Sequence, residues 1–330
     1  MDPLTHIVAG GLAGQAVRRR FPGKTIVPFG MLAAWIPDID NFLSGDPEFY
    51  LLYHRAFTHS FAGGIVLAAV LAGVFWMFKR KTWKFGPLFL FAYGCVLLHI
   101  FLDWINNYGT LVFSPFTDTR HALGSVFIID PILTGTLLIL FACCLKTVLS
   151  RKPLFATVAL GFLVLYPFVN YTVKTTLEHR IAVALDDQDV PFETVRLSPD
   201  FLTPFRWKLI VETEDEYLLE AFTLFRANEL PEIQAFRRAD REKLRQLGEQ
   251  ESFFATYEWF AVYITVSEAE RDGNRLLTFS DLRFKSLHPW ARRLRPDEKP
   301  PPFSVKAELD PAGTLVDWSY LTPRFGFEAD

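Results

Sequence analysis

The sequence predicts a multi-pass α-helical membrane domain followed by a soluble α+β domain rich in antiparallel strands, and three observations carry that prediction. Half of the 330 residues are apolar and mean hydropathy is positive, although 22% of residues are charged. Such a mixture excludes an ordinary soluble domain unless the two kinds of residue segregate along the chain. They do: residues 1–173 hold 13 Lys and Arg against 8 Asp and Glu, whereas residues 174–330 hold 21 against 29. Apolar runs long enough to cross a hydrocarbon layer of roughly 30 Å also fall in the first part. The expected domains are therefore 1–173 in the membrane and 174–330 outside it.

Taken in order, 5–17 and 25–37 are apolar stretches of about 20 Å of helix each, short of a full crossing. Joined at 18–24, they read as a helical hairpin that dips into or just spans the layer. Runs 61–78, 86–105 and 153–173 reach, or nearly reach, spanning length. A fourth, 131–149, starts with Asp130 as N-cap and Pro131 at the first helical position. Beyond Val173 the pattern changes to alternation broken by turn residues. Segments 205–213, 217–225, 257–266, 275–282, 303–309 and 314–320 are candidate strands, with turns at Asp272-Gly273-Asn274 and 310–313. Segment 231–251 reads as a charged helix and 296–302 as a stiff linker or edge cover. Cys95, Cys143 and Cys144 lie in apolar runs and behave as small hydrophobes. An opening without a basic stretch argues against a cleaved signal peptide.

Basic residues cluster in connections 18–24, 79–84 and 146–152, while the opposite connections, 38–60 and 106–125, carry one each, Arg55 and Arg120. The positive-inside rule then turns the basic loops to the cytoplasm and the acidic C-terminal domain to the other side. The same count has a second consequence. His6 begins the first helix, Asp38 and Asp40 end the second, His54 and His59 precede the third, and His99 and Asp103 close the fourth. All seven fall at one membrane face, together with Asp130. Such groups are costly at a membrane boundary unless they hold something, so the set reads as one metal site.

His99 and Asp103 are four residues apart and leave a helix from one face, a spacing that offers two ligands to one ion. Asp38 and Asp40 can converge in the turn after Pro37. His54 and His59, five apart, would lie about 140° around a helix, so they serve different metals or sit partly in a loop. Seven ligands exceed what one zinc takes, which suits a divalent centre, zinc first, of one or two ions and of the hydrolytic kind. Arg55 and Arg120 are the cations near that face and could grip a phosphate. Asp38 or Asp40, whichever does not ligate, would be the general base. Asp130 reads as a cap, Trp35, Trp104 and Tyr108 as interfacial anchors, and His121, His179 and His288 lack acidic partners at helpful spacing in the sequence.

The run Pro37-Asp38-Ile39-Asp40, then Tyr53-His54-Arg55-Ala56-Phe57-Thr58-His59-Ser60, then His99-Ile100-Phe101-Leu102-Asp103-Trp104-Ile105-Asn106-Asn107-Tyr108-Gly109, resembles the bacterial inner-membrane-associated metal-dependent hydrolases, a family also labelled LexA-binding. Asp2-Pro3-Leu4-Thr5-His6, Ser114-Pro115-Phe116 and Asp130-Pro131 fit the same pattern, which covers about the first 150 residues. Family members commonly carry Gly where this chain has Ala56. The resemblance implies a helical fold distantly similar to zinc-dependent phospholipase C and related single-strand nucleases. It also implies phosphate-ester hydrolysis, with His99 and Asp103 as the first ligands, His54, His59 and Asp38 or Asp40 next, and His6 after them.

The resulting expectation is a membrane-bound phosphoesterase whose substrate is a membrane phospholipid or its headgroup, since the site lies at headgroup depth. No nucleic acid is expected as partner, and LexA binding does not carry over, because an outward-facing site has no access to a cytoplasmic repressor. Two alternatives stand beside it. One is a non-catalytic membrane protein with a structural metal and a partner-binding C-terminal domain. The other is a transporter, weaker because the polar groups lie at one face instead of the midplane.

Overall fold

Capped helix starts and small residues at close crossings build the first half of the chain. A computed structural model describes residues 1–21, 24–42, 45–146, 151–201, 203–223, 233–288 and 299–321. Helix α1 (Pro3–Ala16) begins where Asp2 accepts the Thr5 amide at 3.0 Å and Pro3 presets φ. Helix α2 (Ile26–Trp35) packs along it through glycines. A Cβ on Gly10 would collide with the Gly30 carbonyl and come within 2.6 Å of the Ala34 methyl; one on Gly14 would lie 2.7 Å from the Val27 Cα. Between apolar helices in lipid, such close backbone approach supplies the packing energy that water would otherwise drive.

A 3-10 turn (Ile36–Phe42), α3 (Pro47–Tyr53) and a second 3-10 turn (Phe57–His59) follow, then α4 (Phe61–Lys79), α5 (Phe85–Trp104), α6 (Pro131–Lys146) and α7 (Lys152–Asp186). Helices α4, α5 and α7 are long and apolar enough to cross a membrane, and α6 is a shorter apolar helix. Ser60 caps α4 by accepting the Gly63 amide at 2.9 Å. Asp130 takes the Ile132 and Leu133 amides, each at 2.9 Å, the cap expected for α6. Leu12, Leu102, Leu133 and Leu137 form one buried cluster, and Ile26, Phe29, Leu88 and Val96 another. Val70, Phe78, Leu90 and Ile139 face outward, a distribution suited to lipid and not to water.

By contact the chain divides into two units, one of Met1–Ser44, Tyr53–Val173 and Leu202–Pro204, the other of Gly45–Leu52, Lys174–Phe201 and Phe205–Asp330. Segment Gly45–Leu52 joins the second unit through Glu48, which accepts the Ser252 and Thr256 hydroxyls at 2.8 and 2.7 Å. The second unit holds two antiparallel sheets. The first runs β1 (Thr194–Pro199), β2 (Arg206–Glu212), β3 (Glu216–Thr223), β4 (Gln234–Arg237) in that order; the second, β5 (Ile264–Arg271), β6 (Asn274–Asp281), β7 (Val305–Leu309), β8 (Leu315–Tyr320). Asp272 and Gly273, at φ 53° and 86°, make a two-residue hairpin turn between β5 and β6 inside the expected turn, and Asn274 already opens β6.

Three expectations change here. Residues 257–260 belong to helix α9 (Ser252–Phe260), not to a strand, and β5 begins at Ile264. The run of aromatics imitates a strand, yet buried Phe253, Tyr257 and Phe260 recur at the spacing of one helical face. The charged helix expected over 231–251 is strand β4 followed by α8 (Arg241–Gln250), which Asp240 caps through the Glu242 amide at 2.9 Å. Strand β1 was not among the candidate strands. Residues 22–23, 147–150, 224–225, 231–232 and 296–298, on which other expected segments partly fall, lie outside the described residues.

Candidate metal centre

Chain ends and turns at one end of the helices bring the acidic and imidazole groups together. Among the described residues, Asp38, His59, His99 and Asp103 each offer one ligand atom, and these atoms all lie within 4.8 Å of one another. His59 Nε2 is 3.4 Å from Asp38 Oδ1 and 3.2 Å from Asp103 Oδ2. His99 Nε2 is 3.8 Å from Asp38 Oδ1 and 3.3 Å from Asp103 Oδ2. His59 Nε2, His99 Nε2 and Asp103 Oδ2 are buried without a hydrogen-bond partner. Imidazole nitrogens and carboxylate oxygens buried this close need a shared proton or a cation between them.

Each candidate ligand is aimed by a neighbour. The His99 Nδ1–H donates to the Ala34 carbonyl at 2.7 Å, which leaves Nε2 as the lone-pair nitrogen. His59 Nδ1 lies 2.9 Å from Thr58 Oγ1 and 3.3 Å from Asp40 Oδ2. The 3-10 turn after α2 holds both Asp38 and Asp40, but only Asp38 reaches the quartet. Asp40 stands behind it, taking the Thr58 hydroxyl at 2.9 Å, the Arg55 amide at 3.2 Å and His54 Nδ1 at 3.2 Å. His6 stacks on His99 with ring centroids 3.8 Å apart, its Nε2 3.3 Å from Asp103 Oδ1. The seven residues expected at one site are thus neighbours, sorted into four that converge and three that surround them. Asp130 does not join them: besides capping α6 it accepts the Tyr166 hydroxyl at 3.0 Å.

The field at this site favours cations. Burial alone would push Asp38 and Asp40 up, but hydrogen bonds from His59, and for Asp40 first from His54, hold both carboxyls well below their ordinary range. Burial would lower His59, yet its hydrogen bonds to Asp103, Asp38 and Asp40 outweigh that and raise it. Burial dominates at His54 and pulls it down to about 4, against the pull of Asp40. Arg55 and the Met1 ammonium offset Asp103, and the raised His59 faces all three carboxylates, so a divalent ion would take the place of the His59 proton.

The two arginines expected to grip a phosphate are engaged within the protein. Arg55 reaches Asp103 Oδ1 at 3.0 Å and Asn106 Oδ1 at 3.0 Å, and is 3% exposed. Its backbone sits at φ 60°, a left-handed conformation that costs a non-glycine residue roughly 1–2 kcal/mol. The hydrogen bond from its backbone N–H to Asp40 and its carbonyl's acceptance of the Leu111 amide at 2.9 Å hold it there. Arg120 donates to the Gly109 and His54 carbonyls at 3.1 and 3.2 Å. Between the two lies Tyr108, 4.6 Å from one guanidinium and 5.6 Å from the other. Tyr108 is therefore a buried brace of the site and not an interfacial anchor. Thr58, Asn106 and the Ala34 carbonyl are further members that sequence reasoning missed. Thr58 and Asn106 lay inside the quoted motifs, whereas a backbone carbonyl leaves no trace in a sequence.

These features define a membrane protein of helical bundle plus α+β build, with a buried His and Asp quartet that could hold a metal ion. The chain belongs to the YdjM inner membrane protein family, whose model matches residues 1–177 and so contains every member of the cluster. A similar protein, the uncharacterized protein YfhP of Bacillus subtilis (strain 168), is 30% identical over 139 residues, 40% of this chain and 42% of its own length. The chain thus matches less than half the length of that relative. No solved structure matches the chain.

Proposed function

We propose that the chain is a membrane-bound metal-dependent hydrolase of phosphate esters, with one divalent ion, zinc first, held by Asp38, His59, His99 and Asp103. The observation that carries the metal is the convergence of unpartnered His59 Nε2, His99 Nε2 and Asp103 Oδ2 in a buried pocket. Nitrogen and oxygen ligands about 2.0–2.1 Å from a tetrahedral zinc lie about 3.3 Å from each other. Of the six separations in the quartet, four are 3.2, 3.3, 3.4 and 3.8 Å and none exceeds 4.8 Å, so the set stands near the spacing of ligands around one ion. When bound there, the metal supplies a Lewis acid that activates water and stabilises developing charge on a phosphoryl group.

The rest falls to the chain itself. Asp38 is the one ligand with solvent access, its side chain 11% exposed, and beside it stand Asp40 and His54 at 8%. That edge is where a substrate would enter. His54, oriented through Nδ1 by Asp40, is the candidate proton acceptor there, in place of a free aspartate. Arg55 acts by pairing with Asp103 and not by gripping substrate. A site at the helix ends suits a phospholipid headgroup, and the basic connections support an extracytoplasmic orientation for it and for the C-terminal domain.

A structural metal is the second reading, favoured by four protein ligands of which three have fully buried side chains. Metal analysis of the purified full chain, beside His99→Ala and Asp103→Ala, decides the metal; a panel of phosphomonoester, phosphodiester and phospholipid substrates decides the chemistry. About one ion per chain, with turnover lost in both variants, is expected. Bound metal with no turnover on the whole panel moves the site to the structural reading, and absence of metal removes both.

A further inference from the structure

Residues 1–173 keep their acids away from most of their bases. Eleven of the 13 Lys and Arg fall in connections 18–24, 79–84 and 146–152, while segments 3–37, 61–102 and 131–177 contain no Asp or Glu. The acids stand in 1–2, 38–60 and 103–130, at the opposite ends of the same helices, about 30 Å away along α5. More than charge gathers at the basic end. Phe21 and Trp83, 5% and 4% exposed, meet edge to face with ring centroids 5.4 Å apart, which staples the α1–α2 connection to the α4–α5 connection. Trp83 also stacks on Phe75 of α4 at 5.6 Å, and Phe21 packs on Phe91 of α5 at 5.8 Å. The turn after α4 is closed by the Thr82 and Trp83 amides, both 2.9 Å from the Lys79 carbonyl, and the Arg20 amide bonds the Val17 carbonyl at 2.8 Å. Arg20 and Lys84 are the chain neighbours of the two stapled rings, and both are exposed, as are Lys24, Arg80 and Lys81. A signal for orientation needs only positive charge near helix ends, not two connections folded on one aromatic contact.

We propose that this stapled platform is a docking surface for the headgroups of anionic phospholipids in the leaflet it faces. Exposed cations at the end of long apolar helices stand at headgroup depth, where phosphate oxygens are the acceptors at hand and a guanidinium can take two at once. Beside the platform, Trp76, Met77 and Phe78 of α4 and Phe85 of α5 are exposed, with Trp76 and Phe85 in edge-to-face contact at 6.2 Å. That flank continues the lipid-facing side of the helices and gives acyl chains a surface directly below the cations. Charge and apolar flank together select an amphiphile over a free phosphate or a nucleic acid. The assignment is independent of the metal reading, since the two sites lie at opposite helix ends.

The test follows the melting temperature of the purified full chain in detergent as dioleoyl phosphatidylglycerol or dioleoyl phosphatidylcholine is added. A saturable rise with the first and none comparable with the second is expected. The apparent affinity weakens about tenfold or more in the Arg20→Gln, Lys84→Gln double variant and stays within about threefold in Arg20→Lys, Lys84→Arg, which keeps the charge. Both side chains are exposed, so without lipid the variants melt near the wild type. On the wild type itself, raising salt to about 1 M, where the screening length is about 3 Å, weakens the response as well. The response survives His99→Ala. The proposal is overturned by equal responses to the two lipids, by a response indifferent to the double variant or to salt, or by one lost only with His99→Ala. Equal protection by inorganic phosphate or by a single-stranded oligonucleotide overturns it too, because the flank would then play no part.

Discussion

His99 Nδ1 lies 2.7 Å from the Ala34 carbonyl, and this bond, which joins residues of α5 and α2, turns His99 Nε2 toward Asp103 Oδ2 at 3.3 Å. A helix–helix crossing therefore sets the aim of a candidate metal ligand. Ala34 itself is seated by the glycine contact between α1 and α2, so packing far from solvent and chemistry at the helix ends share one arrangement.

Gly10→Val tests that link. Its side chain has no room against Gly30 and Ala34, and overpacking costs about 1–3 kcal/mol. We expect a lower melting temperature in detergent together with a fall in bound metal. Gly73→Val, where an added Cβ meets nothing within 4 Å, should change neither. Full metal content in Gly10→Val would break the coupling.

Asp40→Asn separates a ligand from its support. Asp40 orients His59 and His54 but does not converge with the quartet, so metal affinity should fall about 10–100-fold, read by chelator competition. Asp38→Ala, which deletes a ligand, should leave no stoichiometric metal. Equal effects of the two would remove the distinction.

Arg55→Met should act on stability. Removing one partner of a buried ion pair typically costs about 3–5 kcal/mol; the Met1 ammonium and His6 stay on Asp103 Oδ1, so the cost here falls toward the low end of that range. The expected result is a marked loss of thermal stability, partly restored by added zinc. A variant of normal stability with only a raised KM would return Arg55 to a substrate-binding role.

Lys208 gives the second unit a pH dependence. Burial pushes its ammonium from the ordinary 10.5 down to about 8, although it donates to the Leu282 and Arg283 carbonyls at 2.9 and 2.7 Å. Between those values the unfolded chain binds more protons than the folded one, so stability rises with pH from about 8 to 10.5; below 8 the cost of the buried charge is present in full. The gain is on the order of 3 kcal/mol. Denaturation of wild type and Lys208→Met across that interval should show the slope in the first and its loss in the second.

Much of this was legible beforehand. Apolar runs marked α4, α5 and the first part of α7, and the caps Asp130 and Pro131 marked α6, because hydropathy and capping are local properties of neighbouring residues. The His99 and Asp103 pair was legible for the same reason, being one helical turn apart. Helix α9 was not, since its aromatic residues favour strands when taken singly and only their burial against the sheet chose the helix.

By itself, then, the sequence determined the membrane half, the acidic second half and the gathering of seven polar residues at one face, all of which follow from spacing along the chain. Only the tertiary structure decided which four converge, that Asp40 stands behind them, and that Arg55 and Arg120 are bound to protein groups. Those outcomes depend on contacts between residues 14 to 66 positions apart, such as Asp40 with His54 and Arg120 with the His54 carbonyl. Packing of whole helices and of two irregular turns fixes such contacts, and no periodicity in the chain records them.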